Sequence, residues 1–363
     1  MDSKKIDVAL GERSYSVHVE SGAIDALASS GCFGNYSQAF LVSDEQVGAI
    51  YLERVLKQLR PLIASVHSKM VPVGETSKTA ERVSELWSWM VQNSADRNSV
   101  VIALGGGVVG DLAGFAAATF ARGIRFVQIP TSLLAQVDSS VGGKVGINLP
   151  EAKNIVGAFW QPQSVVIDPA VLSTLDDPNY FAGLAEVVKY GVIMDAEFFQ
   201  RLEDSVPQLL KRDVGVLTEV IARSCELKAE VVIEDERESG RRAILNYGHT
   251  FGHAIETTFG YGKYLHGQAI AIGMHCAAKL ANDLSMVDAE FVERQKNLFQ
   301  KLNLPTELPA ETSSQKIDQL VRAMHRDKKT RSGVLFLVLP TRIGEVKLLE
   351  SPGDELLAKT FVR

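Results

Sequence analysis

Residues 99–111 read SVVIALGGGVVGD, and this stretch decides the fold class. The apolar run 99–104 predicts a buried strand and residues 112–122 predict a helix, so the glycines lie in a strand-to-helix turn. Glycine lets backbone N–H groups approach a phosphate, and the amino end of a helix adds a favourable dipole. Gly105, Gly107 and Gly110 fit the G-x-G-x-x-G spacing. We interpret Gly106 and Gly107 as pyrophosphate contacts, although taken alone a tight turn explains the glycines equally well.

Strand-like and helix-like patterns alternate through the first half of the chain. Strands are predicted at 39–44, 65–72 and 99–104, with helices at 46–59 and 79–92. The alternation predicts a Rossmann-like parallel sheet in an α/β domain at 1–170, and the glycine turn makes it a candidate nucleotide-binding domain. Helical patterns then dominate, at about 180–195, 196–211, 213–233, 249–258, 267–283, 287–302 and 313–325, before a late strand at 333–339. We therefore expect a mostly α-helical domain at 171–363, with the active site in the cleft between the domains.

Composition excludes several classes of function. The 363 residues carry a net charge of −6 with no block of Lys or Arg, which makes nucleic acid an unexpected partner. No apolar run approaches the roughly 20 residues that span a membrane, and the first residues lack the apolar core of a signal peptide. The three cysteines are far apart and unpatterned, which is typical of buried thiols in a reducing compartment. We expect a cytoplasmic protein.

Polar groups follow the predicted strands where a nucleotide would bind. Asp44 could hold a ribose hydroxyl, and GETSK at 74–78 supplies further polar groups, although a solvated loop explains each of them alone. Residues 130–148, PTSLLAQVDSSVGGKVGIN, are rich in hydroxyls and glycines between apolar residues. The glycines beside Lys144 would let its ammonium group and backbone donors meet one phosphate, and Lys153 follows shortly.

A carboxylate and three histidines suggest a metal site. Glu186 lies in the apolar helical pattern AEVVKYG at 185–191, one turn before Lys189, and a buried carboxylate needs a partner. His249 and His253 lie one helical turn apart in NYGHTFGHAIE at 246–256, and His266 follows. Two histidines with one carboxylate suit catalytic zinc. The residues alone leave open which two of the three histidines bind.

Taken together, these segments resemble the 3-dehydroquinate synthase family over nearly the full chain. Eight motifs in order carry the resemblance: GETSK at 74–78, GGGVVGDLAGFAAATFARG at 105–123, PTSLLAQVDSSVGGKVGIN at 130–148, KN at 153–154, AEVVKYG at 185–191, NYGHTFGHAIE at 246–256, LHG at 265–267 and DKK at 327–329. The resemblance implies conversion of 3-deoxy-D-arabino-heptulosonate 7-phosphate to 3-dehydroquinate and phosphate. It also implies an NAD that is regenerated in each turnover and a zinc or cobalt ion.

The resemblance further implies roles for individual residues. The metal ligands would be Glu186, His249 and His266, and His253 would be an active-site histidine that does not bind the metal. Cofactor contacts are expected at Asp44, Glu75, Lys78, Gly106, Gly107, Val108, Asp111, Thr131, Ser132, Leu134, Asp138, Lys144, Lys153 and Thr174. Substrate or catalytic contacts are expected at Asp138, Lys144, Lys153, Asn154, Lys189, Lys228, Arg242, Asn246 and Lys328 or Lys329. Arg122 matches a residue that reaches the phosphate site of a neighbouring subunit, which implies a homodimer.

Two positions depart from the family pattern. Ser132 stands where the family more often has threonine, and it keeps the hydroxyl. Gln268 stands where the family usually has glutamate, which removes one negative charge near the expected metal. We expect this change to alter the orientation of the ligands or the preference for a metal, without changing the assignment.

Three other functions remain open. Another sugar-phosphate cyclase would act on a substrate without a carboxylate, but Arg242, Asn246 and Lys228 offer a clamp for one. A metal-dependent alcohol or glycerol dehydrogenase would release NADH and would not need so many lysines suited to phosphate. A non-catalytic NAD-binding protein would have no use for the intact set of metal-ligand candidates.

Overall fold

The computed structural model describes residues 3–260, 262–326 and 334–362, which form two compact units. The first unit runs to Leu175 and takes in Leu217–Glu236, and the second comprises Asp176–Val216 and continues from Arg237. The sequence instead predicted two continuous segments that meet at 170. Segment 217–236 joins the first unit because its side chains bind there: Cys225 Sγ lies 3.3 Å from Gln136 O, and Lys228 Nζ lies 2.8 Å from Asp138 Oδ1. No helix of the described residues is both long and apolar enough to cross a bilayer.

A seven-stranded sheet organises the first unit. Its strands are β1 (Lys4–Val8), β2 (Tyr15–Val19), β3 (Ala39–Asp44), β4 (Val66–Val71), β5 (Val100–Gly105), β6 (Arg125–Pro130) and β9 (Ser164–Ile167). They lie in the order β1-β2-β9-β6-β5-β3-β4, and all neighbours are parallel except β1 and β2. A separate antiparallel hairpin, which the sequence did not predict, joins β7 (Lys144–Leu149) to β8 (Ala152–Phe159). The carboxyl ends of parallel strands share one edge, where open α/β sheets bind nucleotides.

Both faces of the sheet are covered, which explains the unbroken apolar run at 99–104. Helix α1 (Glu45–Leu59) packs on one face, where Ile102 belongs to the core cluster. Helices α2 (Ala80–Gln92) and α3 (Gly107–Thr119) pack on the other face, where Val101 belongs to a second cluster. Strands buried on both faces lose the alternation that marks a half-exposed strand.

Helix α3 begins five residues earlier and ends three residues earlier than the sequence predicted. It starts at Gly107, directly after the extended N-cap Gly106, so the glycine turn itself forms the amino end of the helix. Arg122 therefore lies outside the helix, on the 3-10 turn Phe120–Arg122. Ala121 and Arg122 there have φ of 48° and 69°, a left-handed backbone that ends the helix and is uncommon for these residues.

Helices dominate the second unit, as the sequence predicted. They are α4 (Asp177–Met194), α5 (Ala196–Asp204), α6 (Val206–Leu210), α8 (His249–Phe259), α9 (His266–Asp283), α10 (Ala289–Lys301), α11 (Ser314–His325) and α12 (Asp354–Val362), and α7 (Val214–Glu234) lies mainly in the first unit. The helix predicted at 196–211 is interrupted at Ser205 because Pro207 starts a new helix. The late strand is β10 (Phe336–Arg342), which pairs with the unpredicted β11 (Glu345–Glu350).

One buried imidazole in α9 lacks a hydrogen-bond partner among the described residues. His275 is 1% exposed, and neither ring nitrogen has a hydrogen-bond partner among the described residues. Burial, with smaller contributions from the Lys279 and Lys296 ammonium groups, lowers the pKa of His275 to about 3, and the Glu307 carboxylate opposes this shift. The side chain is therefore a neutral part of the core at pH 7.

Candidate active site

The glycine turn and the hydroxyl-rich segment meet at the carboxyl ends of β5 and β6. Thr131 N donates to Gly105 O at 3.0 Å. A Cβ atom on Gly106 would lie 3.4 Å from Ser132 Oγ, and one on Gly107 would lie 3.0 Å from Ser139 Oγ. The two segments, which the sequence predicted separately, thus form one cradle of hydroxyls and backbone N–H groups suited to a phosphate.

A buried lysine ties this cradle to the neighbouring strand ends. Lys78 is 3% exposed, and its Nζ lies 2.6 Å from Asp111 Oδ2 and 2.5 Å from Asn154 Oδ1. Burial raises the pKa of Asp111, and the Lys78 ammonium opposes this shift. Asn148, which the sequence did not single out, donates to Glu75 Oε1 at 2.7 Å and accepts from Asn154 N at 2.9 Å. This hydrogen-bond network joins four of the predicted site residues: Glu75, Lys78, Asp111 and Asn154.

Other predicted cofactor contacts lie on the same edge but have structural roles as well. Asp44 Oδ1 caps α1 by accepting from Gln46 N and Val47 N at 3.0 and 2.9 Å, which leaves Oδ2 for a ribose hydroxyl. Thr174, in a 3-10 turn after β9, shares a 2.7 Å hydrogen bond with Tyr51 Oη. Two half-buried apolar residues complete the predicted set: Val108 and Leu134.

The predicted substrate lysines of the first unit differ in their surroundings. Lys228 is 5% exposed, and its Nζ donates to Asp138 Oδ1 at 2.8 Å, so the ammonium and the carboxylate form one charged pair. Lys144 lies exposed at the start of β7, and Lys153 lies half-buried near the start of β8. The unpredicted hairpin thus carries two of the predicted phosphate contacts.

The three expected metal ligands come together in the second unit. Glu186 on α4 is fully buried, and its Oε1 lies 3.5 Å from His249 Nε2 and 3.7 Å from His266 Nε2. Oε1 has no hydrogen-bond partner among the described residues, whereas Oε2 forms an ion pair with Lys189. Tetrahedral donors at about 2.0–2.1 Å from one ion lie roughly 3.3 Å apart. The buried, unsatisfied carboxylate oxygen and these spacings fit a divalent cation.

Close helix packing brings the ligands together. His249 and His266 are the first residues of α8 and α9, and Glu186 lies in the middle of α4. A Cβ atom on Gly267 would lie 1.8 Å from Ala182 O of α4, and one on Gly273 would lie 2.1 Å from Gly248 O beside α8. Only glycine permits these approaches, so LHG at 265–267 both contains the candidate ligand His266 and allows α9 to reach α4.

The remaining histidine lies beside the cluster. The ring centroid of His253 is 5.6 Å from that of His249 and 6.1 Å from that of His266. His253 and His266 also lie close to Glu256, a buried carboxylate that the sequence analysis did not single out. The spacing in the sequence could have indicated Glu256, because it follows His253 by three residues and so lies on the same face of the helix.

Other predicted residues are held near the start of α8 or lie apart. Arg242 is 2% exposed, and Asn246 Nδ2 donates to Glu238 Oε1 at 2.8 Å, a partner that the sequence analysis missed. Arg122 is exposed on its left-handed turn. Lys328 and Lys329 fall outside the described residues.

The departure at Gln268 has a local explanation. Its Oε1 accepts from Leu265 N at 3.0 Å, at the amino end of α9, where glutamine and glutamate serve equally as capping residues. The side chain therefore helps to fix the start of the helix that carries His266. The lost negative charge and its effect on ligand orientation or metal preference stay a prediction.

Comparisons with known proteins agree along the chain. The family model described as 3-dehydroquinate synthase N-terminal matches residues 68–182, and the one described as 3-dehydroquinate synthase C-terminal matches residues 183–330. The 3-dehydroquinate synthase of Rhodopirellula baltica is 47% identical over 364 residues, which cover 98% of this chain and 96% of that protein. The one from Desulforamulus reducens is 49% identical over 352 residues, which cover 95% and 96%.

The chain belongs to the 3-dehydroquinate synthase family.

Solved structures of related cyclases share the fold. A 2-deoxy-scyllo-inosose synthase complexed with carbaglucose-6-phosphate, NAD+ and Co2+ superposes with a TM-score of 0.90 at 26% identity, covering 99% of each chain. A 2-epi-5-epi-valiolone synthase from Streptomyces hygroscopicus with NAD+ and Zn2+ bound gives a TM-score of 0.87 at 28% identity, covering 97% of each chain. A probable glycerol dehydrogenase from Sinorhizobium meliloti shares the fold alone, at 16% identity and a TM-score of 0.64.

Proposed function

We propose that this protein converts 3-deoxy-D-arabino-heptulosonate 7-phosphate to 3-dehydroquinate and phosphate, with NAD and one divalent metal ion. The observation that supports this most is the meeting of Glu186, His249 and His266 around one buried, unsatisfied carboxylate oxygen in a member of this family. Two histidines and one carboxylate also bind the ion in metal enzymes that leave a coordination position open for substrate or water. Zinc and cobalt both suit this set of donors.

The cofactors supply the chemistry that side chains lack. When bound, the metal polarises the substrate hydroxyl that is oxidised, and NAD takes up and returns the hydride. Glu186, His249 and His266 would hold the ion, and the cradle at Gly106, Gly107 and the adjacent hydroxyls would hold the pyrophosphate of NAD. Lys78 would keep Asp111 and Asn154 in place at the edge of that cradle.

The remaining residues of the site would bind and orient the substrate. In this proposal Lys144, Lys153 and Arg122 neutralise the phosphate group, which leaves as its adjacent C–H bond is broken. The phosphate can accept that proton itself, so no separate strong base is needed. Lys228, paired with Asp138, orients the sugar, and ring opening and aldol closure then follow from positioning.

Arg242 and Asn246 favour the acid as the substrate. A guanidinium group that is 2% exposed is well suited to a carboxylate, because it offers a planar pair of N–H donors in a site shielded from water. Asn246 follows Arg242 in the same 3-10 turn, and its side-chain amide is held by a hydrogen bond to Glu238. Cyclases whose substrates lack the carboxylate would gain nothing from this arrangement.

We also propose a cytoplasmic homodimer. The exposed Arg122 has a left-handed backbone, which costs roughly 1 kcal/mol or more for a residue with a side chain. The family pattern suggests that this side chain reaches the phosphate site of a second copy. Arg122→Ala would then reduce phosphate release, with little effect on the affinity for NAD.

The deciding experiment measures phosphate released from the heptulosonate phosphate by the zinc-loaded protein with NAD. We expect release that a chelator abolishes and that added zinc restores, and we expect none from His249→Ala. His67→Ala is the matched control, because His67 pairs with Ser65 and Gln38 in the first unit and should keep full activity. No phosphate release by the wild-type protein with NAD and zinc would refute the proposal.

Two further substrates separate the alternatives. Faster turnover of sedoheptulose 7-phosphate than of the heptulosonate phosphate would favour a cyclase of another specificity. Net accumulation of NADH with simple polyols would favour a dehydrogenase. The proposed function predicts preference for the acid and no net NADH.

A further inference from the structure

Each of the two histidines that face Glu186 has its other ring nitrogen near an oxygen. His249 Nδ1 lies 3.1 Å from Tyr247 O, and His266 Nδ1 lies 3.4 Å from Glu256 Oε2. A backbone carbonyl only accepts hydrogen bonds, so His249 carries its proton on Nδ1 and presents the lone pair of Nε2. An ionised carboxylate imposes the same tautomer on His266. Both Nε2 atoms then face Glu186 Oε1 as acceptors, which is the state that a metal needs.

Glu256 is a buried carboxylate that lies beside His266. It is 8% exposed on α8, where a carboxylate is costly unless it has partners. Its Oε2 faces a histidine that begins the next helix, whereas Oε1 of Glu186 faces the opposite nitrogen of the same ring. His266 therefore lies between two carboxylates with distinct roles: Glu186 on the side of the ion and Glu256 on the outer side.

We propose that Glu256 is a positioning residue of the metal centre, which fixes the orientation and the tautomer of His266 and raises the basicity of its Nε2. The inference rests on the proposed function, because it assumes that Glu186, His249 and His266 bind an ion. It assigns to Glu256 a contact with a ligand and none with the ion or the substrate.

A different use of Glu256 is a second ion held with His253 and His266, whose donor atoms also lie within 4.8 Å of one another. With both sites filled, His266 would need to bind ions through both nitrogens, and its ring would lose both N–H protons. A neutral imidazole with a hydrogen bond to Glu256 avoids that cost, so we infer one ion per chain.

The test measures binding of Co2+ and Zn2+ to the metal-free protein without NAD or substrate. We expect wild-type protein to bind one ion per chain with the visible absorption of four- or five-coordinate Co2+. Glu256→Ala should weaken binding by about 10–100-fold and change that spectrum. Glu256→Gln keeps an acceptor oxygen but loses the charge, so its affinity should fall between the two. Glu307→Gln is the matched control, because this carboxylate pairs with Lys296 rather than with a histidine.

The outcomes separate this inference from the proposed function. Wild-type affinity and spectrum in both Glu256 variants would overturn the positioning role while leaving the proposed function intact. Two ions per chain in the wild type, falling to one in Glu256→Ala, would overturn it in favour of a second metal site. No binding by the wild type would overturn both proposals. Unfolding curves of the metal-free variants show whether Glu256→Ala folds, and Glu256→Gln carries the test if it does not.

Discussion

Replacement of Gly267 by alanine tests whether helix packing creates the metal site. The added Cβ would lie 1.8 Å from Ala182 O, whereas real Cβ contacts essentially never fall below 3.0 Å. Helix α9 must therefore move away from α4 by about 1.2 Å, which is the difference between those distances. That movement can lengthen the 3.7 Å separation of His266 Nε2 and Glu186 Oε1 to about 4.9 Å. One ion with bonds of about 2.0–2.1 Å cannot span such a gap.

The assay compares zinc affinity, by competition with a chromophoric chelator, with the free energy of unfolding of the metal-free protein. We expect Gly267→Ala to lose at least 100-fold in zinc affinity and about 1–3 kcal/mol of stability, the usual cost of an overpacked core. Gly215→Ala is the control, because Gly215 is exposed near the start of α7 and a Cβ there would meet only Asp213 Oδ1 at 3.3 Å. Gly267→Ala with wild-type zinc affinity would refute the reasoning.

Three further predictions test other parts of the structure. Lys78→Met should weaken NAD binding at least 10-fold and destabilise the fold by about 1–3 kcal/mol, because it removes the ion pair of Asp111. An unchanged NAD affinity in calorimetric titration would contradict this prediction. Lys228→Met and Asp138→Asn should each lower the rate of phosphate release about 100-fold, and the double variant should lose little more, because the pair acts as a unit. His275 has a pKa of about 3 in the folded protein and an ordinary value of 6.5. As the pH falls from 6.5 towards 3, the unfolded chain therefore binds a proton on this side chain that the folded protein does not bind. This difference costs the folded protein about 2 kcal/mol of stability at pH 5. Denaturant unfolding should show that His275→Leu has lost this part of the decrease in stability at acid pH. The same pH dependence in His275→Leu and the wild type would argue against this account.

The sequence predicts the parallel sheet and three of its seven strands, β3, β4 and β5, because their local signals agree with their tertiary environment, whereas β1, β2, β6 and β9 were not predicted. The run at 99–104 and its glycine turn read the same way in isolation and in the fold, since both faces of β5 are buried. The boundary between the units is harder to predict because it depends on contacts remote in sequence. Helix α7 looks like its helical neighbours, yet Lys228 binds Asp138, 90 residues earlier. A contact of that kind leaves no periodic signal.

Hairpins and caps were missed for a different reason. Residues 144–159 contain glycines, hydroxyls and lysines that are typical of a ligand-binding loop, and β7 and β8 pair through backbone groups that any residue provides. The contact of Gln268 with Leu265 N likewise depends on where the helix begins, and helix boundaries are the least certain part of a sequence-based assignment. The left-handed backbone of Arg122 could not be predicted from the sequence either, because φ is set by the surrounding turn.

The histidines show why spacing alone could not choose the ligands. Helical geometry makes His249 and His253 neighbours, and their rings are indeed 5.6 Å apart, but His249 and His266 are slightly closer at 5.4 Å. Ring distances therefore do not separate the pairs. The choice follows from Glu186 Oε1, a buried oxygen that faces Nε2 of His249 and of His266. Lys189 pairs with Oε2 and leaves Oε1 without a hydrogen-bond partner among the described residues, so the two histidines that face Oε1 are the ones able to share a cation with it. The i, i+4 spacing then has another consequence, because it places His253 one helical turn beyond the candidate ligand His249, with the two ring centroids 5.6 Å apart.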